Sequence, residues 1–337
     1  MPVGRCQDEG STMDGWKAGG GGAVDWRRIV AEATGAAVPP AAPLATGADF
    51  GSNPGGLEMR VLVPADLPPR APLIVVLHGC RQTAAGYVGA TAWAAWADRL
   101  GFAVLAPAQR PANNPNGCFT WFEPGDAARG QGEALSIRQM VAALVDRHRL
   151  APERVFVTGL SAGGAMANVM LATYPEAFAA GAIIAGLPYG SAANVQEAFA
   201  AMRGEASRPR AAWGDLVRAA SPHRGPWPRV SVWHGTDDAT VRPANCDAVV
   251  AQWLDVHGLT DGSGRDDTAD GHPRRVWHDR NGRAVLEACW IAGMGHGTPV
   301  DPGREDGGVA APFVLAVGIA STPHILRFWG LASAADI

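Results

Sequence analysis

Ser161 lies in the pentapeptide Gly159-Leu160-Ser161-Ala162-Gly163, a pattern that can place a nucleophilic hydroxyl on a tight turn. Residues 154–158 before it suit a buried strand, and residues 164–172 after it suit a helix. A strand, a tight turn and a helix in this order favour a nucleophile over a purely structural Gly-Ser-Gly turn. The positive end of the helix would also stabilise a developing oxyanion. We therefore predict that Ser161 is the nucleophile of a serine hydrolase.

A nucleophilic serine needs a base and an orienting carboxylate, and candidates for both follow later strands. Asp237 and Asp238 come soon after the predicted strand 230–233, and His296 follows the predicted strand 285–290 between flanking glycines. The C-terminal ends of parallel strands meet at one edge of a sheet. We therefore expect the serine, one of the two aspartates and the histidine to come together there.

Two backbone N–H groups are expected to bind the oxyanion of the tetrahedral intermediate. One belongs to Ala162, which follows the nucleophile. The other is predicted in the loop after the apolar strand 73–77, where the sequence His78-Gly79-Cys80 makes Cys80 the candidate donor. In this interpretation His78 is structural rather than basic.

The elements that must position these residues are short apolar runs that alternate with segments of helical periodicity. This alternation predicts an α/β fold, with a mostly parallel central sheet and helices on both faces. The predicted strands are 57–63, 73–77, 103–106, 155–158, 182–185, 230–233 and 285–290, and the predicted helices are 91–100, 136–148 and one near 323–331.

The distribution of glycine, alanine and proline indicates the domain organisation. Residues 1–46 have little periodic apolar surface and are expected to be a flexible leader, with one short helix around residues 25–33. Residues 47–337 are expected to be a single catalytic domain. Within it, residues 187–228 form a long connection that predicts a cap-like insertion beside the active cleft.

Composition excludes several classes of function. The chain has 337 residues, of which 47% are hydrophobic and 18% charged, as in ordinary globular proteins. Its net charge of -4 does not favour a nucleic-acid partner. Lys17 is the only lysine and lies in the leader, which argues against a P-loop, a pyridoxal Schiff base or a catalytic lysine. No run approaches the roughly 18 to 20 apolar residues that span a bilayer, so no membrane partner is expected.

The five cysteines are Cys6, Cys80, Cys118, Cys246 and Cys289. None has the C-x-x-C spacing of a zinc site, so no metal is expected. Two disulfides with Cys6 left over, or buried free thiols, both agree with this composition. Disulfides would favour an extracellular or periplasmic location, although residues 1–22 show no signal peptide.

Five segments in order along the chain carry a family resemblance: LHGCRQ at 77–82, CFTWF at 118–122, GLSAGGAM at 159–166, WHGTDD at 233–238 and GMGHG at 293–297. They resemble the poly(3-hydroxybutyrate) depolymerase-type esterases, which are related to feruloyl and acetylxylan esterases and belong to the α/β-hydrolase superfamily. The resemblance extends from about residue 49 to residue 331.

The resemblance implies roles for several residues. Ser161 would be the nucleophile and His296 the base. Asp238 rather than Asp237 would be the orienting acid, because the family's acid follows the histidine of its H-G motif by four residues. Cys80 would donate an oxyanion N–H and form a disulfide with Cys118, which leaves Cys246 and Cys289 as a second pair. No cofactor is implied.

The resemblance also extends to the substrate cleft. Trp121 resembles a family aromatic residue that lines the cleft, with an ordinary core tryptophan as the alternative. Gln82, Asn113 and Asn114 are expected from their positions to make polar contacts with the substrate.

The expected reaction is hydrolysis of short hydroxyalkanoate oligomers or related soluble esters through an acyl-enzyme. Crystalline polymer is not expected, because secreted depolymerases of the family carry an additional linker and substrate-binding domain. The same triad acting on amide bonds of poly(aspartate), or on feruloyl or acetyl esters of polysaccharide, is an alternative, as is a non-catalytic binding protein. An acidic polymer would require cleft arginines, for which the candidates are Arg81, Arg110, Arg129 and Arg242.

Overall fold

A ten-stranded, mostly parallel sheet forms the centre of the computed structural model, which describes residues 41–333 and residue 336. Its strands are β1 (Ala45–Gly47), β2 (Glu58–Leu62), β3 (Leu73–Leu77), β4 (Ala103–Ala108), β5 (Val155–Leu160), β6 (Ala180–Ile184), β7 (Arg229–Gly235), β8 (Arg265–Ala269), β9 (His272–His278) and β10 (Ala284–Ile291). A small parallel pair, β11 (Thr298–Val300) and β12 (Val314–Ala316), lies apart from it.

The order of strands in the large sheet is β1-β2-β4-β3-β5-β6-β7-β10-β9-β8. The six neighbours from β4 to β10 are parallel, while β1, β2, β8 and β9 pair antiparallel at the two sides. Parallel strands that are joined through helices require cover on both faces. The α-helices are α1 (Ala84–Ala90), α2 (Trp93–Leu100), α3 (Pro124–Ala127), α4 (Gly132–His148), α5 (Ala162–Thr173), α6 (Val195–Met202), α7 (Arg210–Ala219), α8 (Ala244–Val256) and α9 (Ser321–Trp329).

Strand β3 shows why this sequence builds a sheet with two cores. All five of its side chains are fully buried, and successive side chains point to opposite faces. Leu73, Val75 and Leu77 pack in one core with residues of α4, α5 and α8. Ile74 and Val76 pack in the other with residues of α1, α2 and α9. This continuously apolar strand therefore buries the side chains of both of its faces, one set in each core.

The predicted α/β fold and the predicted strands and helices are confirmed, with differences of a few residues at their ends. The sequence-based interpretation missed α1, α8, the hairpin of β8 and β9, and the small pair of β11 and β12. Ala45 and Thr46, at the end of the expected leader, pair with β2. The helix predicted at residues 25–33 lies outside the described residues. No helix in the described ranges is long and apolar enough to cross a membrane.

The long connection at residues 187–228 contains α6 and α7. Gln252 of α8 ties it to the rest of the domain, because its side chain accepts the N–H of Tyr189 at 3.0 Å and donates to the carbonyl of Trp213 at 3.1 Å. Buried side-chain amides that are fully hydrogen-bonded fix relative positions of elements. The start of the connection and helix α7 are thereby held against α8.

Candidate active site

Ser161 occupies the turn between β5 and α5, with φ 57° and ψ −118°. Positive φ is sterically costly for a residue with a Cβ atom and persists only where surrounding contacts enforce it. The Ser161 N–H donates to the carbonyl of Ile184 at 2.9 Å, and its carbonyl accepts the N–H of Ala165 at 2.8 Å. The main chain is thus held on both sides of the strained residue, and Ser161 lines an open cleft.

Gly159 and Gly163 make this turn sterically feasible. A Cβ atom at Gly159 would lie closer than 3.0 Å to the backbone of Gly163, and one at Gly163 would lie closer than 3.0 Å to the carbonyl oxygens of Leu77 and His78. Strand β5, helix α5 and the end of β3 therefore approach one another more closely than any side chain would permit. The two glycines flanking Ser161 are a packing requirement of the turn.

His296 and Asp238 come from different loops and are in contact, and His296 lines the same cleft as Ser161. His296 Nδ1 lies 2.7 Å from Asp238 Oδ2. The other carboxylate oxygen of Asp238 accepts the N–H groups of Thr240 at 2.9 Å and Val241 at 2.8 Å. With the imidazole held at Nδ1, its remaining nitrogen, Nε2, is free to serve as a base toward the cleft that Ser161 and His296 both line.

The surroundings of Asp238 keep its carboxyl group ionised. Burial alone would raise its pKa, but the charges and hydrogen bonds of His296 and His234 outweigh burial, so the net pKa is below the ordinary value. His234 Nε2 lies 3.4 Å from Asp238 Oδ2 and 2.8 Å from the carbonyl of Val241. Asp237, in contrast, is exposed, and within the described ranges its side chain accepts only from the hydroxyl of Thr236. The geometry thus distinguishes the two neighbouring aspartates.

The loop after β3 leaves one N–H group available. The Gly79 N–H donates to Gln82 Oε1 at 2.8 Å, and the Arg81 N–H donates to the carbonyl of Asn116 at 2.8 Å. Between them, the Cys80 N–H makes none of the backbone hydrogen bonds found among the described residues, and Cys80 lines the cleft. Ala162, the first residue of α5, also lines the cleft, and a first helical N–H has no partner within its helix.

His78 is buried, and both of its ring nitrogens are hydrogen-bonded within the protein. Its Nδ1 donates to the Gly79 carbonyl at 2.8 Å, and its Nε2 accepts the Gln109 N–H at 3.2 Å. Burial lowers its pKa. A histidine that uses both ring nitrogens inside the protein has a structural role, as the sequence indicated.

The cleft around Ser161 and His296 has mainly apolar walls. Helix α6 supplies part of the lining, and aromatic side chains of two loops supply another part. The largest apolar residues that line the cleft are Trp121, Phe122, Leu187, Phe199, Met202 and Phe313. The Phe313 ring stands edge-on to the His296 ring, with centroids 6.1 Å apart. Apolar side chains of this kind are as frequent in cores as in clefts, so the sequence carried no signal for Phe313 and indicated α6 only as part of the insertion at residues 187–228.

The residues predicted to contact substrate occupy different positions. Trp121 and Asn114 line the cleft, and Asn114 Oδ1 also accepts the N–H of Asn116 at 2.9 Å. Gln82 is not among the lining residues and instead bridges the Gly79 N–H and the carbonyl of Pro312, the latter at 2.7 Å. Asn113 also lies outside the lining and donates to the carbonyl of Gly55 at 2.9 Å.

Of the four arginines that could bind an acidic polymer, only Arg81 lines this cleft. Arg110 lies 3.6 Å from Glu58, and Arg129 makes two hydrogen bonds with Glu176. Arg242 is exposed outside the cleft. The described residues contain no group of three or more metal-ligating side chains that could hold a metal ion.

The cysteines divide into one disulfide and two free thiols. Cys80 and Cys118 form the predicted disulfide, which joins the loop after β3 to the loop of Trp121. The second predicted pair is wrong, because Cys246 and Cys289 are both free and buried. Cys246 packs in one core and Cys289 in the other, so they face different sides of the sheet. Cys6 lies outside the described residues.

Comparisons with known proteins identify relatives of this chain. The family described as "Esterase PHB depolymerase" matches residues 59–275. The chain is 48% identical over 286 residues to a poly(3-hydroxyalkanoate) depolymerase C of Paucimonas lemoignei, covering 84% of this chain and 69% of that one. It is 35% identical over 276 residues to an acetylxylan esterase of Coprinopsis cinerea, covering 79% of this chain and 73% of that one. Among solved structures, an acetyl xylan esterase from Aspergillus awamori superposes with a TM-score of 0.73 at 26% identity, over 86% of this chain and 99% of that one.

Proposed function

Because the chain belongs to the esterase PHB depolymerase family of carboxylic ester hydrolases, we propose that Ser161 cleaves its ester substrates through a covalent acyl-enzyme. The observation that carries the proposal is the 2.7 Å contact between His296 Nδ1 and Asp238 Oδ2 in the cleft that contains the strained Ser161. A serine hydroxyl is a weak nucleophile unless an adjacent base removes its proton.

In the proposed mechanism, His296 Nε2 takes the Ser161 proton as the hydroxyl oxygen attacks the ester carbonyl. Asp238 holds the imidazole in the tautomer that has its proton on Nδ1, and it stabilises the imidazolium that forms. The N–H groups of Cys80 and Ala162 bind the oxyanion of the tetrahedral intermediate. His296 then protonates the leaving alcohol, and water releases the acyl group by the same sequence of proton transfers.

Hydroxyalkanoate oligomers are the proposed substrates. Their repeating units are short aliphatic esters without charge, and the cleft offers them apolar walls from α6 and the aromatic loops. Similarity to a poly(3-hydroxyalkanoate) depolymerase supports the same class. An acidic poly(amino acid) fits less well, because Arg81 is the one arginine or lysine that lines the cleft in the described part of the chain.

Acetyl or feruloyl esters of a polysaccharide form the second candidate class. Similarity to acetylxylan esterases supports it, and so do Asn114 and Asn116, which add two polar side chains to the cleft lining. The two classes differ in whether the sugar or an aliphatic chain must occupy the cleft. Rates on a hydroxybutyrate trimer, an acetylated xylo-oligosaccharide, a feruloyl ester and poly(aspartate) therefore rank the candidates, and we expect the hydroxybutyrate trimer to be cleaved fastest.

Replacing Ser161 with alanine tests the nucleophile. We expect Ser161→Ala to reduce kcat on a short p-nitrophenyl ester by roughly 10⁶-fold, to the background, because no other group can form the acyl-enzyme. Ser191→Ala is a matched control, since its buried hydroxyl has no hydrogen-bond partner among the described residues. The wild type should acquire the mass of a fluorophosphonate probe at Ser161. Turnover by Ser161→Ala, or a probe adduct on another residue, would refute the assignment.

A further inference from the structure

Glu133 is a buried carboxylate that the proposed mechanism does not use. It lies in the first turn of α4, is 1% exposed and does not line the cleft. Burial raises its pKa to about 7, against the opposing effect of hydrogen bonds from Thr120 and Gln109. Charged groups are expensive to bury, so a carboxyl group kept in such a place calls for a structural or functional reason.

The Glu133 carboxylate holds the loop that contains Cys118 and Trp121. Its Oε2 accepts the N–H of Thr120, the neighbour of Trp121, at 2.9 Å. Its Oε1 accepts from the side-chain amide of Gln109, and the same amide donates to the carbonyl of Cys118 at 3.1 Å. The loop that contains Trp121 and the disulfide cysteine is therefore bound at two backbone positions by one Glu-Gln pair.

Asp126 strengthens the same junction. Its Oδ1 accepts the N–H of Glu133 at 3.1 Å, and its Oδ2 accepts the hydroxyl of Thr120 at 2.6 Å. Glu133 and Thr120 are therefore joined both directly and through Asp126. Networks of this type hold geometry more tightly than a single hydrogen bond.

Gln109 extends the network to the predicted oxyanion donor. Its backbone N–H donates to His78 Nε2 at 3.2 Å, and His78 Nδ1 donates to the carbonyl of Gly79 at 2.8 Å. That carbonyl and the Cys80 N–H belong to one peptide unit. The peptide is planar and trans, so its C=O and N–H point in opposite directions. Holding the Gly79 oxygen toward His78 aims the Cys80 N–H the other way.

We propose that Glu133 is a positioning residue that orients the Cys80 N–H through Gln109 and His78, and that it holds the Trp121 loop through Thr120. The inference rests on the proposed function, in which the Cys80 N–H binds the oxyanion. Glu133 touches no reacting atom. Its role is to keep the Trp121 loop in fixed register with the donor, because a donor out of alignment loses much of its contribution to transition-state stabilisation.

Glu133→Gln tests the proposal, because it keeps the shape of the side chain but changes its hydrogen bonds. Glutamine has one carbonyl oxygen in place of the two carboxylate oxygens, so its NH₂ group must face either the Thr120 N–H or the Gln109 amide, each of which is a donor. We expect kcat to fall about 10-fold with KM within about twofold, since losing an oxyanion donor outright costs about 10²- to 10³-fold. Inhibition by phenylboronic acid, whose boronate oxygen mimics the oxyanion, should weaken in the same proportion.

Glu287→Gln is the matched control for this experiment. Glu287 is also a buried carboxylate, with a pKa raised to about 7 by burial, but it accepts from Ser231 in β7, away from the cleft lining. It should lower stability while leaving both kcat and the affinity for phenylboronic acid at their wild-type values.

The outcomes separate this inference from the proposed function. If Glu133→Gln lowers only the melting temperature, or Glu287→Gln lowers kcat equally, Glu133 is merely structural and the inference is overturned. If Ser161→Ala retains turnover, the proposed function itself fails. Should Glu133→Gln not fold, Gln109→Met removes the same link from a less buried position and must show the same loss of kcat and boronate affinity for the inference to stand.

Discussion

The turn at residues 159–163 and the loop at residues 292–297, called here the serine turn and the histidine loop, place their side chains by different means. In the serine turn, the backbone is so crowded that Gly159 and Gly163 admit no Cβ atom. In the histidine loop, a Cβ atom at Gly293 or Gly295, the glycines before His296, would meet no atom within 4 Å, whereas one at Gly297 would lie 2.8 Å from the carbonyl oxygen of Phe313. The backbone is therefore crowded on both sides of Ser161 but only on the C-terminal side of His296.

Hydrogen bonds, rather than close packing, hold the part of the histidine loop that leads to His296. The Gly293 N–H donates to the hydroxyl of Thr236 at 2.8 Å, and the carbonyl of Met294 accepts the Asp237 N–H at 3.0 Å. The His296 side chain itself is oriented by Asp238 at 2.7 Å. The difference teaches that the proposed nucleophile is placed by close packing of the backbone, whereas the proposed base is placed mainly by hydrogen bonds. Substitutions in the serine turn should therefore affect folding, whereas loss of the contact between Asp238 and His296 should affect activity.

Gly163→Ala should have the largest effect. Its methyl group would lie closer than 3.0 Å to the carbonyl oxygens of Leu77 and His78, which belong to the backbone and cannot move as side chains can. Overpacking of this kind costs roughly 3 kcal/mol or more. We expect little folded protein and no measurable esterase activity, as judged by circular dichroism, thermal unfolding and p-nitrophenyl ester hydrolysis. A variant with wild-type melting temperature and kcat would show that the serine turn is not enforced by packing.

Asp238→Asn should have the next largest effect, on activity rather than on folding. Asparagine presents an NH₂ group to His296 Nδ1, which favours the imidazole tautomer that cannot accept the serine proton. We expect kcat to fall by roughly 10³- to 10⁴-fold, as when the orienting aspartate of other serine hydrolases is replaced. The variant should still unfold cooperatively, although removing a charge-assisted contact lowers its melting temperature.

Asp237→Asn is the matched control for that experiment. Asp237 is exposed, and its side chain accepts only from Thr236, so kcat should stay within about twofold of wild type. Equal losses in the two variants would mean that the His296 contact with Asp238 does not orient the base. The comparison of serine turn and histidine loop would then need another explanation for the position of His296.

The same contrast explains what could be predicted from the sequence. The serine turn was predictable because its chemistry lies in five consecutive residues between a strand and a helix. The histidine loop was predictable only through the order of the strands and a family resemblance, since a lone histidine carries no signal of its own. Choosing Asp238 over Asp237 from the residues alone would have required knowing which carboxylate is buried.

Other features could not be predicted, for physical reasons that differ. The hairpin of β8 and β9 escaped because β8 is mostly exposed and is held by ion pairs such as Arg275 with Asp266, so it lacks the apolar alternation of a strand. Helix α6 was expected only as part of an insertion, because its apolar face does not reveal whether it packs in a core or lines a cleft. The pairing of Cys246 with Cys289 failed because the sequence does not show on which face of the sheet each thiol lies.

Gly295→Ala should have the smallest effect and makes the comparison sharpest, because it repeats the Gly163 substitution in the other region. The new methyl group would meet no atom within 4 Å, and Gly295 is not among the residues with left-handed backbone. Alanine also restricts the unfolded chain more than glycine does, so the free energy of unfolding should change by less than about 1 kcal/mol, with a small gain expected. Urea unfolding and ester hydrolysis measure both quantities, and kcat should stay within about threefold of wild type. If Gly295→Ala instead inactivates the enzyme while leaving its stability intact, the histidine loop must change shape during the reaction, and its open space is then needed for that movement.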